Sequence, residues 1–82
     1  MNPRVAKAKY GGNYQLLLKF TNNEVKVFDM KSYLQYSVYE PLKDEAFCKN
    51  LRVLNGIVQW NELIDFDPDT LYIESKPTLQ LF

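Results

Sequence analysis

Histidine is absent from the 82 residues, and cysteine occurs once, at Cys48. The first absence removes the commonest general base and metal ligand, and with it most hydrolytic and metal-dependent chemistry. The second excludes an intramolecular disulfide and a thiolate zinc site, and suits a reducing cytosol. Net charge is missing too: ten Lys and Arg balance ten Asp and Glu. The field of the whole molecule therefore neither draws the chain onto phosphate backbones nor repels it, and nucleic acid is not an expected partner. No apolar run approaches the length of a membrane span, and Met1-Asn2-Pro3-Arg4 leads straight into a strand pattern without a secretory leader, so the expected location is the cytoplasm. With only three glycines there is no phosphate-cradling loop, since Gly11-Gly12 stands alone in a hairpin.

What the chain does have is core-forming material. Apolar and aromatic residues make up 46%, among them five Phe, six Tyr and one Trp. At this length folding buries only about 60% of the surface the unfolded chain exposes, so one compact core must suffice. The organisation expected is a single α+β domain over residues 1–74, followed by a tail, 75–82, that either docks or frays.

Residues 4–28 read as a three-stranded antiparallel meander. Ala6, Ala8 and Tyr10 alternate with Lys7 and Lys9, and Tyr14, Leu16, Leu18 and Phe20 resume the alternation after Gly11-Gly12-Asn13. A three-residue loop there pairs Tyr10 with Tyr14 and Ala8 with Leu16, and Asn22-Asn23 forms the next turn, setting Phe20 opposite Val25 and Leu18 opposite Val27. Beyond Asp29, Lys31–Leu34 suits one helical turn, Tyr33, Tyr36 and Tyr39 recur at threes, and Pro41 interrupts the segment. A short helix is expected after Asp44, its N-cap, with Glu45 in the first turn and Lys49 and Asn50 at its end. Cys48 there reads as a packing residue, because no histidine or run of positive charge activates it.

Asn55-Gly56 between Leu51-Arg52-Val53-Leu54 and Ile57-Val58-Gln59-Trp60 is the favoured two-residue hairpin turn. It pairs Leu54 with Ile57, Val53 with Val58 and Leu51 with Trp60, and gives Leu51, Val53, Val58 and Trp60 to the core. Asp67-Pro68-Asp69-Thr70 has the form of an N-cap, a first-turn proline and a first-turn acid, placing a helical or tight turn near Leu71-Tyr72. The fold class is thus α+β: an N-terminal meander and a second hairpin in antiparallel sheet, with one or two short helices. Trp60, Leu18 and Val27 are expected in one core.

Candidate chemistry is sparse. Asp65, Asp67 and Asp69 alternate like the start of a calcium loop, but Thr70 and Lys76 stand where that loop needs glycine and a bidentate glutamate. These acids read as turn and cap residues, and no metal, cofactor or catalytic residue is expected. Lys7, Lys9, Tyr10, Tyr14 and Lys19 have the residue types of a single-strand-binding surface, yet the tyrosines fall on the buried face and the lysines on the other. The outer face of the meander carries Lys7, Lys9, Gln15, Lys19 and Lys26 together with Val5, Leu17 and Phe28. It is either an ordinary solvated face or an interaction patch; in the expected register Leu17 lies opposite Phe28. The candidate partner surface is accordingly Leu17, Phe28, Lys7, Lys9, Lys19 and Lys26, beside an exposed edge strand, Glu24–Phe28. It suits an acidic protein partner or a second copy, unless the tail, with Leu79, Leu81 and Phe82, covers it in the same chain. Residues 1–31 hold six basic and two acidic residues and residues 32–82 four and eight, about +4 against −4. Folding either sets these charges on opposite sides or intermixes them.

Several segments together resemble the small bacterial domain of unknown function numbered 2442. They are Pro3-Arg4-Val5, the Asn22–Asp29 turn and strand, Pro41-Leu42 with Asp44 and Phe47, Asn55-Gly56-Ile57-Val58-Gln59-Trp60, and Asp65–Tyr72. The likeness covers roughly residues 3–74; Asn61-Glu62-Leu63-Ile64 departs from the family's usual turn. The resemblance implies a cytoplasmic bacterial α+β protein without established enzymatic activity. It also implies two roles: one member of a two-protein, toxin–antitoxin-like pair, or a nucleic-acid-associated regulator whose helix-turn-helix would be missing here. It carries over no catalytic residue.

Overall fold

The computed structural model describes residues 2–82, leaving Met1 outside the described residues. Two antiparallel sheets with short helical segments pack around a shared core, an α+β arrangement as expected. The larger sheet contains β1 (Val5–Gly12), β2 (Gln15–Phe20), β3 (Val25–Asp29) and β7 (Lys76–Pro77), in the order β1-β2-β3-β7. The smaller contains β4 (Arg52–Leu54), β5 (Ile57–Gln59) and β6 (Asp65–Phe66) in sequence order. Between them lie two 3₁₀ segments, Lys31–Tyr33 and Ser37–Lys43, and two α-helices, α1 (Glu45–Cys48) and α2 (Pro68–Glu74).

The meander forms, but with different turns from those expected. Asn13 and Tyr14, with φ of 52° and 59°, make a two-residue turn, and Gly12 at φ 85° adjoins an irregularity between Tyr10 and Gly12. Tyr10 therefore pairs with Leu16 and Ala8 with Leu18. This offset of two residues preserves which side chains share a face. A second irregularity, between Val5 and Lys7, sets Val5 opposite Phe20 and turns it from the outer face into the core, where it is buried.

The β2–β3 turn has the larger consequence. Phe20 N–H donates to Glu24 O at 2.9 Å, Asn23 N–H donates to Phe20 O at 2.9 Å, and Asn23 has φ 71°. The loop is thus Thr21-Asn22-Asn23, and Leu16 pairs with Phe28, Leu17 with Val27 and Leu18 with Lys26. A register one residue from the expected one exchanges the faces of β3. Phe28, expected outside beside Leu17, is 1% exposed in the core, while Val27, expected in the core, faces outward. Burial of an aromatic ring outweighs burial of a valine. Phe28 finds Phe66 and Tyr33 at centroid distances of 5.0 and 5.7 Å.

Lys26 turns inward with Phe28. Its Nζ donates to Tyr72 O at 2.7 Å and sits 4.1 Å from the Tyr72 ring centroid. An ammonium there complements the carbonyl end of α2 while the ring covers it, which offsets the cost of burying its charge. Nor is β3 an edge: Lys26 pairs with Pro77 and Val27 with Lys76, so β7 covers it. The remaining edges are blunted by lysines in β1 and by a proline in β7.

The second half follows local chemistry closely. Asp44 caps α1, accepting from Ala46 N–H at 3.0 Å, and Asp67 caps α2, accepting from Thr70 N–H at 3.0 Å with Pro68 in the first turn. Asn55 and Gly56, at φ 53° and 82°, turn β4 into β5 with Leu54 opposite Ile57 and Val53 opposite Val58. The ladder ends at Arg52 and Gln59, short of the expected Leu51–Trp60 pair, because Trp60 N–H bonds Ile64 O at 2.9 Å instead. Pro41 lies inside a 3₁₀ segment rather than ending it. The turn bonds around it, Tyr39 N–H to Tyr36 O and Asp44 N–H to Pro41 O, do not need its missing N–H. Two of the three tyrosines pack against the core, Tyr39 stacking on Phe66 at 4.9 Å and Tyr33 meeting Tyr39 edge-on at 5.7 Å, whereas Tyr36 stays exposed.

Candidate interaction surface

The outward face of the larger sheet is assembled from alternate residues of its strands. Lys7 lies opposite Lys19 and Lys9 opposite Leu17, while Leu17 and Lys19 in turn face Val27 and Val25. Of the six residues expected on this surface, Lys7, Lys9, Leu17 and Lys19 are brought together. Phe28 and Lys26 belong to the opposite face, for the register reason given above. Val25 and Val27 take part instead, and the same loop length hid them from the sequence.

Leu17 is only 4% exposed although it stands apart from the main core cluster. The C-terminal segment reaches this face: Thr78 N–H donates to Val25 O at 3.4 Å, and Lys9 Nζ donates to the Phe82 main-chain oxygen at 3.0 Å and lies 5.0 Å from the Phe82 ring centroid. Lys9 is the cross-strand partner of Leu17, so Phe82 is held to the strand beside the apolar spot. The tail docks at both ends, but between them Leu79 and Leu81 are 102% and 92% exposed. A tail lying on this face was one of the two readings of the sequence; that Leu79 and Leu81 would point away from it was not.

At the foot of the same face a cleft of about 310 Å³ is lined by Gln15, Val27 and Asp29 from the meander and by Glu74, Lys76, Pro77 and Thr78 from the chain that follows. Nothing in the spacing of these residues marks them as neighbours.

Reactive groups elsewhere are quiet. Burial pushes the Cys48 thiol up, and its S–H donates to Leu42 O at 2.9 Å, so it is a packing residue. Tyr10 and Tyr33 are each pushed up to about 12, first by desolvation and then by donating to Glu45 and Glu74. Hydrogen bonds from the Thr70 side chain and backbone hold the Asp67 carboxyl below its usual range. That carboxylate is thus engaged as a helix cap. Among the described residues no group of three or more His, Cys, Asp or Glu is placed to hold a metal ion, and no helix is long and apolar enough to cross a membrane.

Residues 5–77 match the model of a family described as "Protein of unknown function (DUF2442)". No curated protein matches the chain, and no solved structure does.

Proposed function

The chain belongs to the DUF2442 family of unknown function, and from that premise we propose that it is a protein-interaction module without catalysis of its own, which engages its partner through the outward face of the larger sheet and the tail crossing it. The observation that carries this reading is the pair Leu79 and Leu81, left in solvent by a segment tethered on both sides. An extended segment restrained in this way loses little further freedom on binding, which favours its use as a contact ridge. Lys7, Lys9 and Lys19 flank it, so the matching surface is apolar with an acidic rim. A dedicated second protein in a two-protein pair has that chemistry, as does the acidic part of another copy. The lone buried Cys48 is compatible with a reducing, cytoplasmic setting.

The test compares the wild-type protein with Leu79→Asp/Leu81→Asp in affinity capture from the native cell extract and in sedimentation. Both side chains are already exposed, so the variant should keep its thermal midpoint while losing the captured protein or the self-association. High salt should weaken the wild-type complex through the lysines. A wild-type protein that stays monomeric at all concentrations and captures the same proteins as the variant would overturn the reading.

A further inference from the structure

The cleft at the foot of the outer face has a charge composition that points to a ligand class. Val27 and Pro77 supply its apolar lining, and three exposed ionic side chains line it with them: Asp29, Glu74 and Lys76. Both carboxylates are oriented by the protein. Asp29 Oδ1 accepts from Lys31 N–H at 2.9 Å, and Glu74 Oε1 accepts from the Tyr33 hydroxyl. No hydrogen bond from the described residues reaches Asp29 Oδ2 or Glu74 Oε2, so each carboxylate keeps an acceptor for a ligand. A site with two carboxylates and one ammonium, beside a short apolar lining, is the complement of a molecule with a forked cation, one carboxylate and an aliphatic stem. A volume of about 310 Å³ is at the lower end of ligand sites and suits something the size of one amino acid.

We propose that this cleft binds a basic amino acid, with arginine fitting best. The guanidinium bridges Asp29 and Glu74, its methylene stem lies on Val27 and Pro77, and its carboxylate meets Lys76. A planar fork of N–H donors spans two carboxylates better than a single ammonium does. The same chemistry is presented by free arginine and by an arginine at the C-terminus of a peptide. The site uses different residues from the Leu79–Leu81 ridge, so either proposal stands or falls alone.

The experiment is a titration of the ¹⁵N-labelled protein followed by amide shifts, with L-arginine, agmatine, citrulline and Nα-acetyl-L-arginine as probes. L-Arginine should give saturable shifts centred on Val27, Asp29 and Thr78 with a dissociation constant of about 1 mM. Agmatine, lacking the carboxylate, and citrulline, lacking the side-chain charge, should each bind about tenfold more weakly. Asp29→Asn and Glu74→Gln keep acceptors for Lys31 and Tyr33 and should each weaken arginine about tenfold without altering the rest of the spectrum. Leu79→Asp/Leu81→Asp should leave arginine binding unchanged. Nα-acetyl-L-arginine binding as tightly as arginine identifies a peptide C-terminus as the source, and much weaker binding identifies the free amino acid. Linear, unsaturating shifts with arginine, or equal binding of citrulline and arginine, would overturn the proposal.

Discussion

At the scale of single residues, the decisive side chains are those that satisfy a polar group while filling the core. Trp60 is 8% exposed, meets Phe66 edge-on at 5.9 Å, and donates its indole N–H to Cys48 O at 2.9 Å. Truncating Trp60 to Ala removes the ring and orphans that carbonyl, at a cost of about 3–5 kcal/mol. That is a large share of the stability a domain this small has. Urea denaturation should show the loss, and an unchanged midpoint would remove Trp60 from the core. Lys26 illustrates the other side of residue-level reasoning. Its place between Val25 and Val27 reads as the solvated position of an alternating strand, yet its ammonium serves Tyr72 across a sequence distance of 46 residues. No local pattern encodes that contact.

At the scale of elements, turns and caps carry the register. Gly12 and Gly56 both have φ above 80°, where an L side chain is strained, but their surroundings differ. A Cβ added at Gly12 meets nothing within 4 Å, whereas one added at Gly56 comes within 2.8 Å of Arg4 Cβ. Arg4 is itself held against the hairpin by Nε donating to Asn55 O at 3.1 Å. Gly12→Ala should therefore cost about 1–2 kcal/mol, from the left-handed conformation alone. Gly56→Ala should cost clearly more, because the turn must also move away from Arg4. Thermal unfolding of the two variants separates these effects; equal losses would mean that Arg4 yields freely.

At the scale of the whole molecule, the C-terminal segment joins parts that the sequence leaves unconnected. β7 closes the edge of β3, and the tail beyond it reaches Lys9, the cross-strand partner of Leu17. Deleting residues 76–82 should expose Leu17 and the β3 edge, lowering stability by about 1–3 kcal/mol and raising the tendency to aggregate. Urea denaturation and light scattering check both outcomes. A truncated protein with the wild-type midpoint would show that the tail rests on this face without covering it. The docked tail also changes what a partner meets: not a bare sheet but a sheet already crossed by two outward leucines.

The sequence by itself determined the features whose causes lie within a few residues: the Asn55-Gly56 turn, the Asp44 and Asp67 caps, the alternation of β2 and of Lys7–Tyr10 in β1, and the inert setting of Cys48. Each rests on a backbone preference or a hydrogen bond between near neighbours, which composition and spacing reveal directly. The orientation of β3 was not of that kind. Val25 with Val27, and Lys26 with Phe28, are both acceptable alternations, and one residue in the Thr21–Asn23 loop selects between them. Only tertiary packing decided it, because the energy that separates the two registers comes from Phe28 against Phe66 and Lys26 against Tyr72, contacts that exist only once both sheets and α2 have met. The outward face, its crossing tail and the cleft beside Asp29 and Glu74 are consequences of that same choice.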